Sequence, residues 1–232
     1  PSARNFLIRG TQFNQGLMIK EFMRHRASII GEPDQCHAVA IDGRAPKYDG
    51  GIVTRLDCVS FGIVVDKYCR RFYDEGEDFW PKRYAIWGRL IAAQPDQIAY
   101  SIIDAKAVPL FMPSVYAPLE ADTLAGLAAE IGLDGPAFEA TMVAYNAAVQ
   151  PGNLDSAILD GCRTQGLEIE KSNWARPIDT PPFYAYPLAP GITRRFPNTN
   201  ELALRVYPAN PKQVKADAQS AATKRTLLVL VL

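Results

Sequence analysis

The chain of 232 residues carries 25 Lys and Arg against 25 Asp and Glu, with two His, so it is neutral overall. Hydrophobic residues make up 48% and aromatics 10%, which supports a packed core and excludes a disordered or collagen-like chain. Neutrality argues against a nucleic-acid or other polyanion binder, and no apolar run approaches the roughly 18 residues of a membrane helix.

Asn14 to Ile30 reads as a helix, with Leu17, Met18, Phe22 and Met23 on one stripe and Asn14 as N-cap. After Gly31 and Pro33, His37 to Ile41 is a short strand, and Arg44 to Gly51 is a loop. Gly62 to Asp66 and Arg70 to Tyr73 form a hairpin whose turn carries Tyr68-Cys69 in place of an Asp-Gly-like pair, a source of modest strain. Asp78 caps a helix to about Ala93, with Pro81 in its first turn, and its apolar stripe is Phe79/Trp80, Ile86/Trp87 and Leu90/Ile91. Gln97 to Ile103 is a strand. Asp122 caps a helix ending at Gly132. Asp134 caps the next, with Phe138, Met142, Tyr145 and Val149 on one face and Pro151-Gly152 as its stop. Thr180 to Pro190, rich in Pro and aromatics, is extended. The class is α+β. From Arg194 onward the charge changes: seven basic residues stand against two acids, and the chain ends in the apolar run Leu227 to Leu232. That tail is expected to pack poorly on the rest.

The four cysteines, Cys36, Cys58, Cys69 and Cys162, have no metal spacing and read as free thiols in a reducing, cytoplasmic compartment. Residues 1–9 lack the apolar core of a secretory signal. No G-x-G-x-x-G, P-loop, G-x-S-x-G or H-E-x-x-H motif is present. Three clusters carry potential chemistry. The Gly-bounded loop Arg9 to Gly16 is either a capped helix start or a place where backbone N–H groups meet an anion or a cofactor edge. His37, near Thr54 and Arg55, is either a core histidine or half of a carboxylate clamp with Arg as the bidentate partner. The charged run Arg70 to Tyr84 is either a solvated face or, with Glu75 and Arg83 straddling a helix start, part of a buried site.

The blocks GTQFNQG (10–16), CHAVAIDGRAPKYDGGIVTRLDC (36–58), GIVV (62–65), RRFYDEGEDFWPKRYAIWGRLIAAQPDQIAYSIID (70–104) and KSNWARPIDTPPFYAYPLAPGIT (171–193) resemble the tricarballylate dehydrogenase branch of the fumarate reductase/succinate dehydrogenase flavoprotein family. The resemblance spans about residues 5–193, and blocks 70–104 and 171–193 are its specific part. It implies an FAD-dependent oxidoreductase that moves hydride between flavin and a small di- or tricarboxylate, with the flavin performing the redox step. It also implies a chain that starts late. Residues 1–36 would end a first FAD-binding segment, 37–183 would be a capping domain, 184–193 would return to the FAD-binding domain, and 194–232 would be an atypical tail. By position, Gly10, Thr11, Asn14 and Gly16 would approach FAD. His37 and Thr54 would hold a substrate carboxylate, and Arg55 would stand where fumarate reductases have an acid, adding a cation suited to a tricarboxylate. The proton-transferring arginine of fumarate reductases aligns near Phe79, so the catalytic role falls to the neighbouring bases Lys82 or Arg83, of which Arg83 is preferred. His37, Thr54, Arg55 and Arg83 are expected to share one cleft. The electron acceptor stays unspecified. The alternative class is a non-catalytic carboxylate-binding or interaction domain lacking its flavin half.

Overall fold

The computed structural model describes residues 3–13, 15–26, 28–30, 37–48, 54–192 and 203–205. Asn14, Cys36, the Gly50-Gly51 pair and the Leu227 to Leu232 run lie outside these, and with them most of the expectation about the tail. Element order is β1 (Leu7–Ile8), α1 (Leu17–Arg24), β2 (Ser28–Ile30), β3 (Ala38–Asp42), β4 (Ile63–Asp66), α2 (Trp80–Ala92), β5 (Ala99–Asp104), β6 (Leu119–Ala121), α3 (Leu124–Ile131), α4 (Gly135–Ala148), β7 (Phe183–Ile192) and β8 (Ala203–Arg205). The mixed helix and sheet composition agrees with the class read from the sequence.

β7 organises the main sheet. Its first six residues pair antiparallel with β5, from Phe183 opposite Asp104 to Leu188 opposite Ala99. β6 also pairs with its start, and β3 pairs antiparallel with its last five residues. β1 runs parallel beside its end, and β4 extends the sheet beyond β5. β2 and β8 form a separate two-stranded sheet.

Both faces of the sheet are covered, as the period-two alternation of its strands requires. Ile63, Val65, Ile102 and Ala185 pack with Leu127, Phe138, Met142 and Tyr145 of α3 and α4. Val64, Ile103, Tyr186 and Leu188 pack with Trp87 and Ile91 of α2. The central strands therefore read as continuous apolar runs, and β4 is buried at every residue.

Several local expectations are corrected. The first helix is shorter than the 14–30 reading: it starts after Gly16, itself in the left-handed conformation at φ 70°, and ends at Arg24. Arg26 at φ 61° turns the chain out of the helix, and Ser28–Ile30 is strand. Asp78 lies one residue before the N-cap Phe79 of α2, where its Oδ1 accepts from the Phe79 N–H at 2.7 Å. The hairpin forms, but its second arm holds only a single bridge, Arg71 to Val65. Its strain is real, since Cys69 sits at φ 64°. Asp66 supports the turn by accepting from the Tyr68 and Arg70 N–H groups at 2.8 and 2.9 Å.

α3 is capped by Thr123, not Asp122. Thr123 has extended backbone, and its Oγ1 accepts from the Gly126 N–H at 3.0 Å. Thr123→Ala is therefore expected to cost about 1 kcal/mol in thermal or urea denaturation, while Asp122→Ala stays within about 0.5 kcal/mol. Equal effects would return the cap to Asp122. The Asp134 cap of α4 is as expected, accepting from the Ala137 N–H at 2.8 Å.

Candidate functional site

The site is built where α2 crosses β3. A Cβ on Gly88 would lie 2.5 Å from the Ala38 carbonyl carbon and the Val39 nitrogen, so glycine alone permits this approach. Positions 80, 84 and 88 share one helix face. Trp80 and Tyr84 accordingly stack toward the same side, with ring centroids 6.3 Å apart. Tyr84 packs on Val39, Ile41 and Ala45.

Around that ring the structure gathers two of the expected residues. His37, directly before β3, meets Tyr84 edge-on with centroids 5.1 Å apart. The Arg55 guanidinium lies over the same ring, 4.9 Å from its centroid. Arg55 is brought there by its bridge to Ile41, and the adjacent Leu56 N–H donates to the Ala40 carbonyl at 3.1 Å. Thr54, next to it, is buried.

Arg55 is not an isolated cation. Its Nε and Nη2 donate to the two Asp57 oxygens at 2.6 and 2.8 Å. The Trp80 indole N–H donates to Asp57 as well, at 2.6 Å. The bidentate pair neutralises the guanidinium and fixes its plane. Nη1 has no hydrogen-bond partner among the described residues.

Arg83 neighbours Tyr84 in sequence, but one residue along a helix is a rotation of about 100°. Its side chain goes to the segment before α2. Nε donates to Glu77 at 2.7 Å and Nη2 donates to the Tyr73 hydroxyl at 3.0 Å, and Nη2 and Glu77 also form an ion pair. The hydrogen bond to Glu77 is the main cause of a raised Arg83 pKa, so the guanidinium keeps its proton. Lys82 is exposed and pairs with Asp78 at 3.1 Å. Arg83 and the His37–Arg55 group thus occupy adjacent faces of α2.

Glu75 is buried and pairs with Arg71, while Arg83 pairs with Glu77. The polar walls of a separate cavity of about 420 Å³ are likewise already paired: Arg71 with Glu75, and Arg70 with Asp66. That cavity shares no lining residue with the Tyr84 group. Among the described residues no group of His, Cys, Asp and Glu could hold a metal ion, and no helix is long and apolar enough to cross a membrane. Cys58, Cys69 and Cys162 are free and buried, and burial pushes the Cys58 thiol up to about 12.

The candidate cofactor loop leaves the edge of the sheet. The Arg9 N–H donates to the Ile192 carbonyl at 3.0 Å, and the chain then passes Gly10 and Thr11 to Gly16 and α1. Thr11 Oγ1 accepts from the Phe13 N–H at 3.2 Å. Among the described residues, a Cβ built on Gly16 would have Ile19 Cδ1 as its neighbour, at 3.8 Å.

Sequence reading missed Tyr84, Asp57, Trp80, Tyr73 and Glu77. Two signals were present. Arg55 and Asp57 are two apart in a non-helical segment, a spacing that sets both on one side, and Trp80 and Tyr84 are four apart on a helix.

No protein-family model matches the chain, and no curated protein matches it. Solved structures do. A flavocytochrome c3 fumarate reductase in an open conformation superposes with a TM-score of 0.50 at 18% identity, over 81% of this chain and 35% of that one. The 3-ketosteroid Δ1-dehydrogenase from Sterolibacterium denitrificans, in complex with 1,4-androstadiene-3,17-dione, gives a TM-score of 0.55 at 19% identity, over 83% of this chain and 38% of that one. The chain shares its fold with parts of two oxidoreductases. It spans little more than a third of the length of each.

Proposed function

We propose that this chain is the substrate-handling part of an FAD-dependent oxidoreductase acting on a small di- or tricarboxylate of the tricarballylate type. The observation that carries the reading is the Arg55 guanidinium, fixed by Asp57 and Tyr84 with Nη1 outside the Asp57 pair, beside His37 and Thr54. The fold shared with parts of a fumarate reductase and a ketosteroid dehydrogenase supports the oxidoreductase class. In this reading His37, Thr54 and Arg55 bind and orient the carboxylates. Arg83, held protonated by its hydrogen bonds to Glu77 and Tyr73, would donate the proton in the reductive direction from the neighbouring face of α2. Residues 37–183 would be the capping domain, in a reducing, cytoplasmic setting.

Gly10, Thr11 and Gly16, with Asn14 outside the described residues, fit one edge of an FAD. They supply a glycine-flanked loop running into a helix start, where the first backbone N–H groups have no intrahelical acceptor. They do not supply the glycine fingerprint for a pyrophosphate. FAD, when bound, supplies the hydride acceptor. The 232-residue chain is therefore expected to bind FAD more weakly than about micromolar, because a partial contact must still offset the ordering of a large ligand. A flavin fluorescence titration checks this, and stoichiometric quenching at nanomolar concentrations would overturn it. In the FAD-loaded full-length protein, tricarballylate or succinate should reduce the flavin. Arg55→Ala should lower kcat/KM about 10- to 100-fold, the loss of one charge-assisted hydrogen bond and its ordering. Binding of the carboxylate without flavin reduction would favour the non-catalytic domain instead.

A further inference from the structure

We propose that Tyr84 is a positioning residue whose ring holds His37 and Arg55 in fixed register, so that both read the same small carboxylate. The inference rests on the functional reading above and deepens it. The Asp57 pair fixes the plane of the Arg55 guanidinium. The Tyr84 ring, its centroid 4.9 Å from the guanidinium carbon, backs that plane from one face. The same ring meets the His37 imidazole at 5.1 Å and 65°, so the two carboxylate-reading groups are set one aromatic ring apart.

Tyr84 is itself well braced. Val39, Ile41 and Ala45 lie against it. Trp80, one helical turn earlier, packs on it and donates to Asp57. Asp57, Arg55, Tyr84 and Trp80 thus close a ring of contacts in which each member restrains the next. The arrangement matters because Asp57 has already cancelled the Arg55 charge. A carboxylate approaching a neutralised guanidinium gains little from long-range attraction and depends on the direction of the Nη1 donor. Direction is what a stacked ring preserves.

The test compares Tyr84→Phe, which keeps the ring, with Tyr84→Leu, which removes it while filling the same apolar contact. The full-length protein is titrated with malonate, a non-reacting dicarboxylate, by calorimetry. Tyr84→Leu should weaken malonate about tenfold, and Tyr84→Phe should stay within about twofold. In turnover of tricarballylate, Tyr84→Leu should raise KM more than it lowers kcat. On an Arg55→Ala background, Tyr84→Leu should add less than about threefold, since most of its effect passes through Arg55. In NMR spectra, the ring-current shift on the His37 ring protons should persist in Tyr84→Phe and vanish in Tyr84→Leu. If Tyr84→Leu does not fold, Tyr84→Met serves in its place.

Wild type binding malonate while the Leu or Met variant binds it equally well would overturn the positioning role and leave the functional reading standing. Tyr84→Phe as weak as Tyr84→Leu would also overturn it, because the hydroxyl rather than the ring would then matter. No binding of malonate or tricarballylate by the wild type would overturn the functional reading, and this inference with it.

Discussion

Replacing Glu75 by alanine is expected to destabilise the protein by about 3–5 kcal/mol, the cost of breaking a buried ion pair from one side. The Glu75 side chain is 0% exposed and that of Arg71 is 7% exposed, with contacts of 2.6 and 3.0 Å between them. Glu75 Oε1 also accepts from the Val64 N–H of β4 at 2.9 Å, so truncation orphans a buried backbone donor. Arg71 would keep only the Ile169 carbonyl, at 2.6 Å, and the Tyr145 ring. A second buried cation aggravates the loss. Lys171 is wholly enclosed and donates to the Ser60 and Gly62 carbonyls at 2.7 Å each. Burial pulls its ammonium down from 10.5 to about 8, and Glu75 is the main group opposing that fall. Urea denaturation at pH 7 measures the effect, and a loss below about 1 kcal/mol would mean that Arg71 finds another partner. The pH profile has a defined sign. Unfolded Lys171 keeps its proton to about 10.5 while the folded residue releases it near 8, so this group's contribution to stability rises with pH across that window.

Gly88→Ala should act on both the fold and the site. The added methyl would sit 2.5 Å from the backbone of β3 and 2.7 Å from the Ala38 Cβ, in a region where Ala38 and Val39 are fully buried. Strand backbone cannot yield as a flexible side chain would, so α2 must lift. Overpacking of this kind costs about 1–3 kcal/mol, and more when backbone is the obstacle. Lifting α2 also draws Tyr84 away from His37 and Arg55, so malonate affinity should fall together with stability. Gly135→Ala is the matched control, since nothing lies within 4 Å of a Cβ there. Equal stability of the two variants would show that α2 and β3 are not packed this closely in solution.

The parts legible in the sequence were those governed by local pattern. The stripe Phe138, Met142 and Tyr145 marked α4 because an i, i+4 spacing needs no knowledge of the partner surface. β4 and β5 were visible as apolar runs between turns. What stayed hidden depended on distant chain. β1 and β6 are two and three residues long, and only their pairing with β7 makes them strands. The cap of α3 turned on one hydroxyl reaching Gly126, a choice between adjacent residues that both favour caps. The sequence named His37, Thr54 and Arg55 as candidates, but not the Tyr84 ring that His37 and Arg55 both meet. Tyr84 resembles an ordinary core aromatic until β3 is laid beneath α2. Glu75 and Arg83 were read as flanking one helix start, and the structure gives them different partners: Arg83 takes Glu77, and Glu75 turns inward to Arg71.

The central place of β7 sets the order in which the molecule can be completed during synthesis. β1, β3, β5 and β6 all emerge from the ribosome before residue 183, and each takes its ladder partner from the segment that follows. Until Ile192 is made, β5 has only β4 beside it, and β3 has no named strand alongside. The nascent chain must therefore carry open, apolar strand edges until β7 is made, and such edges recruit chaperones or other nascent chains. A stop or frameshift anywhere before residue 183 would remove the shared partner of four strands at once, and a release defect would then surface as aggregation rather than as a merely shortened domain.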